Sequence, residues 1–389
     1  MGPRPLSVRV LVVAEYYPRR ADPVLGVWAH RQAVAARNAG AEVRVLVLHR
    51  LVPPRRAFAH RDVRALTAPL RQPPRETRDG LPVTYVPFVS PAFSADAVAG
   101  WGAWAAPTLA VALRGMRRRF AFDVVHAHYA VPSADAVLRA RSAAPLVVSV
   151  HGGDVLWTAR HSQRGREAVA RALTAARLVL ANSAGTAARS EALGARATRV
   201  VHLGTDLPPE PAVPHEQPTI VTVGHLVARK RHADVMRALV GLEGVRYVIV
   251  GDGPERGRLE ALARELGVAD RTSLLGALPH DRAQAEARRA HAFVLPSVDE
   301  AFGVAYVEAM AGWVPAVGLR GEDGPEEIAA AGGGMTLAAH GRLREAIERT
   351  LAARDDLGRE ARATVERSFT WDRTGRETLA AYDEAAARR

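Results

Sequence analysis

The sequence predicts an α/β protein built from two doubly wound, Rossmann-like parallel-sheet domains. Short Val/Leu runs alternate with Ala-rich, helix-compatible stretches along nearly the whole chain. The apolar runs are continuous, and one proline-dense segment divides the pattern in two. Continuous apolar strands belong to parallel sheets covered by helices on both faces, because both sides of each strand are then buried. A length of 389 residues suits two such domains.

The elements follow in order. VRVLVVAEYY opens the chain; its apolar run is short and broken by Arg9, so it reads as a first strand and not as a secretory leader. A helix over Gly26–Ala39 and the strand EVRVLVLH come next. FDVVHAHY, PLVVSVHGGD and RLVLANSAG are further strands, each leading into Ala/Arg-rich helical sequence. LPPEPAVPHEQP then places five prolines in twelve residues, which reads as a stiff linker over 207–217. The alternation restarts with TIVTVGHL, VRYVIVGDGP, TSLLGAL, HAFVLPS and VPAVGL. The domains expected are 1–206 and 218–368.

Composition narrows the chemistry. There is no Cys, which excludes disulfide frameworks, thiol nucleophiles and cysteine metal sites and suits a reducing cytoplasm. There is no H-E-x-x-H and no D-x-D, so no metal is expected. The net charge of +12 favours anionic partners. Of the 53 basic residues only Lys230 is a lysine; an Arg/Ala-rich background accounts for part of the charge.

Two segments bear on membranes. Residues 97–113 form an uncharged run of 17, interrupted by Gly100, Gly102 and Pro107, which is marginal for crossing a bilayer of about 30 Å. With Trp101, Trp104 and the arginines at 114 and 117–119, it reads either as a helix lying in an anionic membrane interface or as a buried helix with a solvated basic end. The segment between His49 and Asp79 carries eight arginines (50, 55, 56, 61, 64, 71, 75 and 78) and is expected as a loop, either solvated or facing an anionic acceptor or lipid head groups.

In open parallel sheets ligands bind beyond the carboxyl ends of the strands. After HAFVLP comes SVDEAFGVAYVEAMA, a loop running into a helix start, with Glu300 before the helix and Glu308 two turns inside it. Free N–H groups at a helix N-terminus suit phosphate. Carboxylates only accept, so two at different depths suit hydroxyls of different parts of one ligand; an exposed Glu and a capping Glu would have the same spacing. After TIVTVGHL comes VARKRH, where Lys230, a compact ammonium, suits a diphosphate and Arg229 stands beside it. Gly251 and Gly253 fit either a phosphate loop or an ordinary turn. In the first domain Gly26 opens a helix, and His151 and Asp154 follow a strand; such a histidine can contact substrate, move a proton or be structural. His126 and His128 share a strand face and are expected in structural or wall roles.

The segments DVVHAHY, VVSVHGGDV, HLGTD, VGHLVARKRH, VGDGPERGRLE and PSVDEAFGVAYVEAMA resemble, in this order and over nearly the whole chain, the GT-B glycosyltransferases of family 4. FTWDRTGRETLAAYDEA resembles that fold's terminal helices, which implies that 369–389 returns to the N-terminal, acceptor-side domain while 218–368 binds the nucleotide-sugar. The resemblance implies two domains facing a cleft and retaining transfer of a sugar from a UDP- or GDP-sugar to a hydroxyl acceptor. The acceptor would be a carbohydrate, a lipid-linked group or a small molecule, in cell-envelope or extracellular polysaccharide or glycolipid synthesis. Glu300 would hold donor-sugar hydroxyls, with backbone contacts from Phe302, Gly303 and Val304. Glu308 would hold the ribose, and Lys230 with Arg229 would neutralise the diphosphate. Gly26 would line the cleft, His151 would contact the transferring sugar, and Asp154 would be a further cleft residue. His225 stands where the family often has a phosphate-binding arginine.

The resemblance thus implies no cofactor beyond the nucleotide-sugar co-substrate, no metal, a cytoplasmic enzyme and peripheral contact with an anionic membrane. A nucleotide-sugar epimerase of the same fold is one alternative. A basic nucleic-acid-binding protein is another, although the Arg-rich segment interleaves only Phe58 among its cations.

Overall fold

The structure, a computed structural model, describes residues 7–53, 63–90 and 95–387. The chain divides into two compact units, residues 1–202 with 371–389, and residues 203–370. The proline-dense 207–217 stretch, expected as a separate linker, therefore counts with the second unit. There the Arg362 guanidinium donates to the Pro208 carbonyl (2.7 Å) and His215 N–H to the Arg289 carbonyl (2.9 Å).

In the first unit the strands are β1 Arg9–Ala14, β2 Glu42–Arg50, β3 Arg75–Arg78, β4 Leu81–Phe88, β5 Val124–His128, β6 Leu146–Val150, β7 Leu178–Ala181 and β8 Thr198–Val200. Among the described residues they form one sheet of order β3-β4-β2-β1-β5-β6-β7-β8, parallel except for the β3–β4 pair. Helices α1 Val27–Asn38 and α2 Ala95–Arg119 belong here. The second unit holds β9 Thr219–Val223, helix α3 His232–Leu239, β10 Arg246–Val250, β11 Thr272–Gly276, helix α4 His280–Arg288, β12 Ala292–Val294, helix α5 Val304–Ala311, β13 Ala316–Leu319 and β14 Met335–Ala338. Its sheet runs β11-β10-β9-β12-β13-β14, parallel throughout. Helix α6, Trp371–Ala387, packs in the first unit. Gly375 allows this approach, because a Cβ there would stand 2.3 Å from the Ala35 carbonyl oxygen of α1.

Both sheets reverse direction beside their first strand. The chain winds outward from β1 through β2 and β4 and then returns to place β5 on the other side of β1; β9, β10, β11 and then β12 repeat the manoeuvre. The loops after β1 and β5, and those after β9 and β12, therefore part at a switch point and leave the crevice where such sheets take ligands.

Part of the Arg-rich 49–79 segment departs from the loop expectation. Residues 75–78 form edge strand β3, which pairs with β4 and sets Glu76 Oε1 to accept from Tyr85 Oη (2.8 Å). The short charged sequence RETR carries no apolar face of its own, so its strand character comes from the partner. Arg55, Arg56, Phe58 and Arg61 lie outside the described residues. Helix α2 buries Trp101, Ala105, Leu109 and Leu113, at four-residue spacing, and leaves Trp104 and Val111 exposed. No described helix is long and apolar enough to cross a membrane.

Candidate active site

The second unit's switch point brings together the residues expected to carry charge. The chain leaves β9, makes one turn of 3-10 helix over Ala228–Lys230 and enters α3 through Arg231. Beyond β12 the loop 295–303 runs to α5. The two loops are joined by the Val298 N–H, which donates to the Arg229 carbonyl (2.8 Å). Across this joint Lys230 Nζ donates to Glu300 Oε2 at 2.5 Å, and Ser297 Oγ donates to the same oxygen at 2.9 Å. Arg229 Nη1 lies 3.8 Å from that oxygen.

Burial opposes the Glu300 charge, but Lys230, Arg229 and Ser297 more than offset it and hold the carboxyl below its ordinary range. Lys230 and Glu300 have side chains 12% and 11% exposed, whereas Arg229 is 49% exposed. The cluster therefore sets two cations against one carboxylate and leaves Arg229 facing water.

Glu300 is not helical. Gly303, at φ 79°, turns the chain into α5, and no acidic residue occupies the first turn beginning at Val304. Phe302 differs from its neighbours: its ring is buried against Phe369 at 5.5 Å. Glu308 sits in the second turn of α5, 3.7 Å from His280 Nε2 on α4. Burial raises its carboxyl above the ordinary range, partly offset by His280.

Gly251 and Gly253 serve the same loop from behind. A Cβ on Gly251 would lie 1.9 Å from the Gly224 carbonyl oxygen, and one on Gly253 would lie 2.5 Å from that of Leu226. Close backbone approach then permits the Gly224 N–H to bond the Val250 carbonyl (2.9 Å) and the Leu226 N–H the Asp252 carbonyl (3.0 Å). These glycines thus fix the backbone leading to Lys230. His225, between those two bonds, leaves its side chain exposed.

In the first unit, Gly26 holds a left-handed conformation at the start of α1, and a Cβ there would meet Tyr16 backbone atoms at 2.2 Å. His151 follows β6. Its Nε2 is 3.0 Å from His128 Nδ1, its ring lies 6.1 Å from Trp28, and its Nδ1 is buried without a partner. Burial lowers the His151 ring to about 3, so it is neutral near neutral pH. Asp154 is buried, with its carboxylate engaged by the Ala130 N–H (2.7 Å) and the His151 N–H (3.4 Å). Expected as a further cleft residue, it clamps the loops after β5 and β6. His126 is structural: its nitrogens meet Tyr382 Oη (2.7 Å) and Ser149 Oγ (2.8 Å).

Sequence reading did not single out Ser297, whose signal was its place between a strand end and Glu300. Nor did it find His280, which lies on another helix at a spacing that carries no message.

The two Rossmann-like domains fall within the glycosyltransferases. Residues 25–208 match the family described as Glycosyltransferase Family 4, and residues 205–364 the family described as Glycosyl transferases group 1. A Bacillus subtilis (strain 168) protein assigned to teichuronic acid biosynthesis as glycosyltransferase TuaC is 28% identical, with 80% of each chain covered. A GDP-mannose-dependent alpha-(1-6)-phosphatidylinositol monomannoside mannosyltransferase of Mycobacterium tuberculosis (strain CDC 1551 / Oshkosh) is also 28% identical, over 68% of this chain and 77% of that one. Among solved structures, a sucrose-phosphate synthase from Thermosynechococcus elongatus shares the fold with a TM-score of 0.79, at 18% identity and with 98% and 100% of the two chains covered. The chain belongs to the family 4 glycosyltransferases of GT-B fold, and it is a hexosyltransferase.

Proposed function

We propose that this glycosyltransferase moves a hexose, with retention of anomeric configuration, from a UDP- or GDP-hexose to a hydroxyl of a cell-envelope polysaccharide or glycolipid acceptor. The observation that carries the reading is the Lys230–Glu300–Arg229 cluster at the β9/β12 switch point, with Glu308 one helix farther on. Its excess positive charge suits a diphosphate leaving group without a metal, and charge placed where it develops in the transition state is usually the largest catalytic effect.

In this reading Lys230 and Arg229 take the diphosphate, with Val304 N–H at the start of α5, while Glu300 holds donor-sugar hydroxyls and Glu308 the ribose. The bond from the anomeric carbon to the β-phosphate oxygen breaks, and the acceptor oxygen bonds that carbon from the same face. The acceptor's proton leaves on the phosphate oxygen. The names of the two relatives support an envelope acceptor, and that of the second supports a GDP-hexose. Exposed Trp104 and Val111 beside the basic end of α2 support work at the cytoplasmic face of an anionic membrane.

The test is product analysis with UDP- and GDP-hexoses and a membrane-extract acceptor in EDTA. The reading expects one donor series to be consumed and an axial donor linkage to give an axial product. An inverted product, or transfer restored only by added metal, would contradict it.

A further inference from the structure

Glu300 owes its place to a residue that the transfer chemistry leaves unused. The loop 295–303 that carries it follows β12, and in the sheet β12 lies beside β13. The chain leaving β13 passes through Arg320, Gly321 and Glu322 into the helix Asp323–Ala331. Three hydrogen bonds tie this second loop to the first. The Glu300 N–H donates to Glu322 Oε2 at 3.4 Å, and the Asp299 N–H donates to the same carboxyl. In return, the Gly324 N–H donates to the Glu300 carbonyl at 3.1 Å.

The backbone explains what the carboxyl is for. Asp299 holds φ at 53°, in the left-handed region. A non-glycine residue there costs energy and persists only where its surroundings fix it. Successive N–H groups around a left-handed residue also form a concavity suited to an anion. Glu322 fills that concavity at 299–300 from within the chain. The two loops approach closely: a Cβ on Gly324 would stand 2.3 Å from the Phe302 carbonyl oxygen, so a side chain there would part them.

Negative charge is not what the loop draws on. Burial raises the Glu322 carboxyl above its ordinary range, and Asp299 and Asp323 add to the rise, against the two N–H groups. The useful part is an oxygen that accepts. We propose that Glu322 is a positioning residue for transfer: by accepting the Asp299 and Glu300 N–H groups, it fixes the loop from which Glu300 reaches the donor sugar. The inference rests on the reading of Glu300 as the group that holds donor-sugar hydroxyls. Glu322 acts through Glu300 alone.

Two substitutions separate acceptance from charge. Glu322→Ala removes the acceptor, whereas Glu322→Gln keeps a carbonyl oxygen for the N–H groups and discards the charge. Hydrogen exchange over 295–303 reads the clamp without substrate, and initial rates with UDP- and GDP-hexoses read its use. In Glu322→Ala the 299 and 300 amides exchange at least about tenfold faster than in the wild type. Its kcat at saturating donor falls at least about tenfold, since a misplacement of roughly 1 Å can cost about 100-fold. Affinity for UDP or GDP stays within about threefold, because the bare nucleotide carries no sugar for Glu300 to hold. Glu322→Gln returns both exchange and kcat to within about threefold of wild type. Unchanged exchange or unchanged kcat in Glu322→Ala would overturn the proposal, as would a Glu322→Gln variant no better than Glu322→Ala. If Glu322→Ala fails to fold, Glu322→Ser, too short to reach the loop, takes its place. Should the wild type transfer hexose from neither donor series, the reading of the site fails instead, and exchange still decides whether Glu322 holds the loop.

Discussion

Lys230 and Glu300 are mutually dependent at the level of single atoms. Each is largely buried, and a buried charge is tolerable only when paired, so the 2.5 Å contact fixes both side chains. An ammonium concentrates its charge at one point and can approach a single carboxylate oxygen closely, which a planar guanidinium does less well. That is a physical reason for one lysine in a chain that otherwise uses arginine. Glu300→Gln removes the charged anchor of Lys230 and, on the proposed reading, the acceptor for sugar hydroxyls; kcat is expected to fall at least about 100-fold, the scale of a lost transition-state contact. On the proposed reading that Glu308 holds the ribose, Glu308→Gln is expected to raise the donor KM about tenfold with kcat nearly unchanged. Steady-state kinetics with donor varied separates the two, and wild-type kcat in Glu300→Gln would refute the assignment. Lys230 and Glu300 were each legible in the sequence through strand-end position and residue type, but their pairing was not, because 70 residues separate them. Nor was Ser297 as the third partner, because a hydroxyl's role depends on a distance of 2.9 Å that spacing does not encode.

At the level of elements, the ends of β5 and β6 with the terminal helix form one titratable block. His126 joins β5 to Ser149 of β6 and to Tyr382 of α6, and His128 meets His151. Burial lowers His126 and His151 to about 3 and His128 well below its ordinary value, while Asp154 is pushed up to about 6. The histidines, depressed in the folded state, contribute stability that is present above pH ~6.5 and is lost as pH falls toward the folded values. Asp154, raised by burial, works in the opposite sense between its ordinary 3.8 and about 6. At pH 5 the three histidines are neutral in the folded protein and charged once it unfolds, which outweighs the proton that Asp154 releases, so unfolding takes up protons and stability falls as the pH falls. Scanning calorimetry from pH 7 to 5, in buffers of different ionisation enthalpy, should therefore show a falling Tm and net proton uptake; a flat Tm with proton release would contradict the block. The continuous apolar strands were legible because burial on both faces leaves a simple signature. β3, β4, β8 and β14 were not: β3 is charged, Pro82 and Pro87 break the apolar run of β4, β8 is three residues long, and β14 is a four-residue edge strand.

Over the whole molecule, one wiring rule recurs. Each unit begins at a strand that becomes the centre of its sheet, winds outward, then returns to the other side, and in the second unit Lys230 and Glu300 follow the two strands beside that reversal. Two doubly wound domains were legible from alternation alone, because apolar continuity and a proline-dense break survive without knowledge of contacts. The unit boundary at 202–203 was less so; contacts at Pro208 and His215 bind the proline-dense stretch to the second unit, and proline density reports stiffness, not membership. The account's central claim is that the β9/β12 switch point is a cationic nucleoside-diphosphate site centred on Lys230. The most direct measurement is calorimetric titration of wild-type protein and Lys230→Ala with UDP and with GDP in EDTA. The account predicts that one nucleotide binds the wild type without metal and that the variant binds it at least tenfold more weakly. Equal affinity in the two proteins, or no binding of either nucleotide by the wild type, would contradict it.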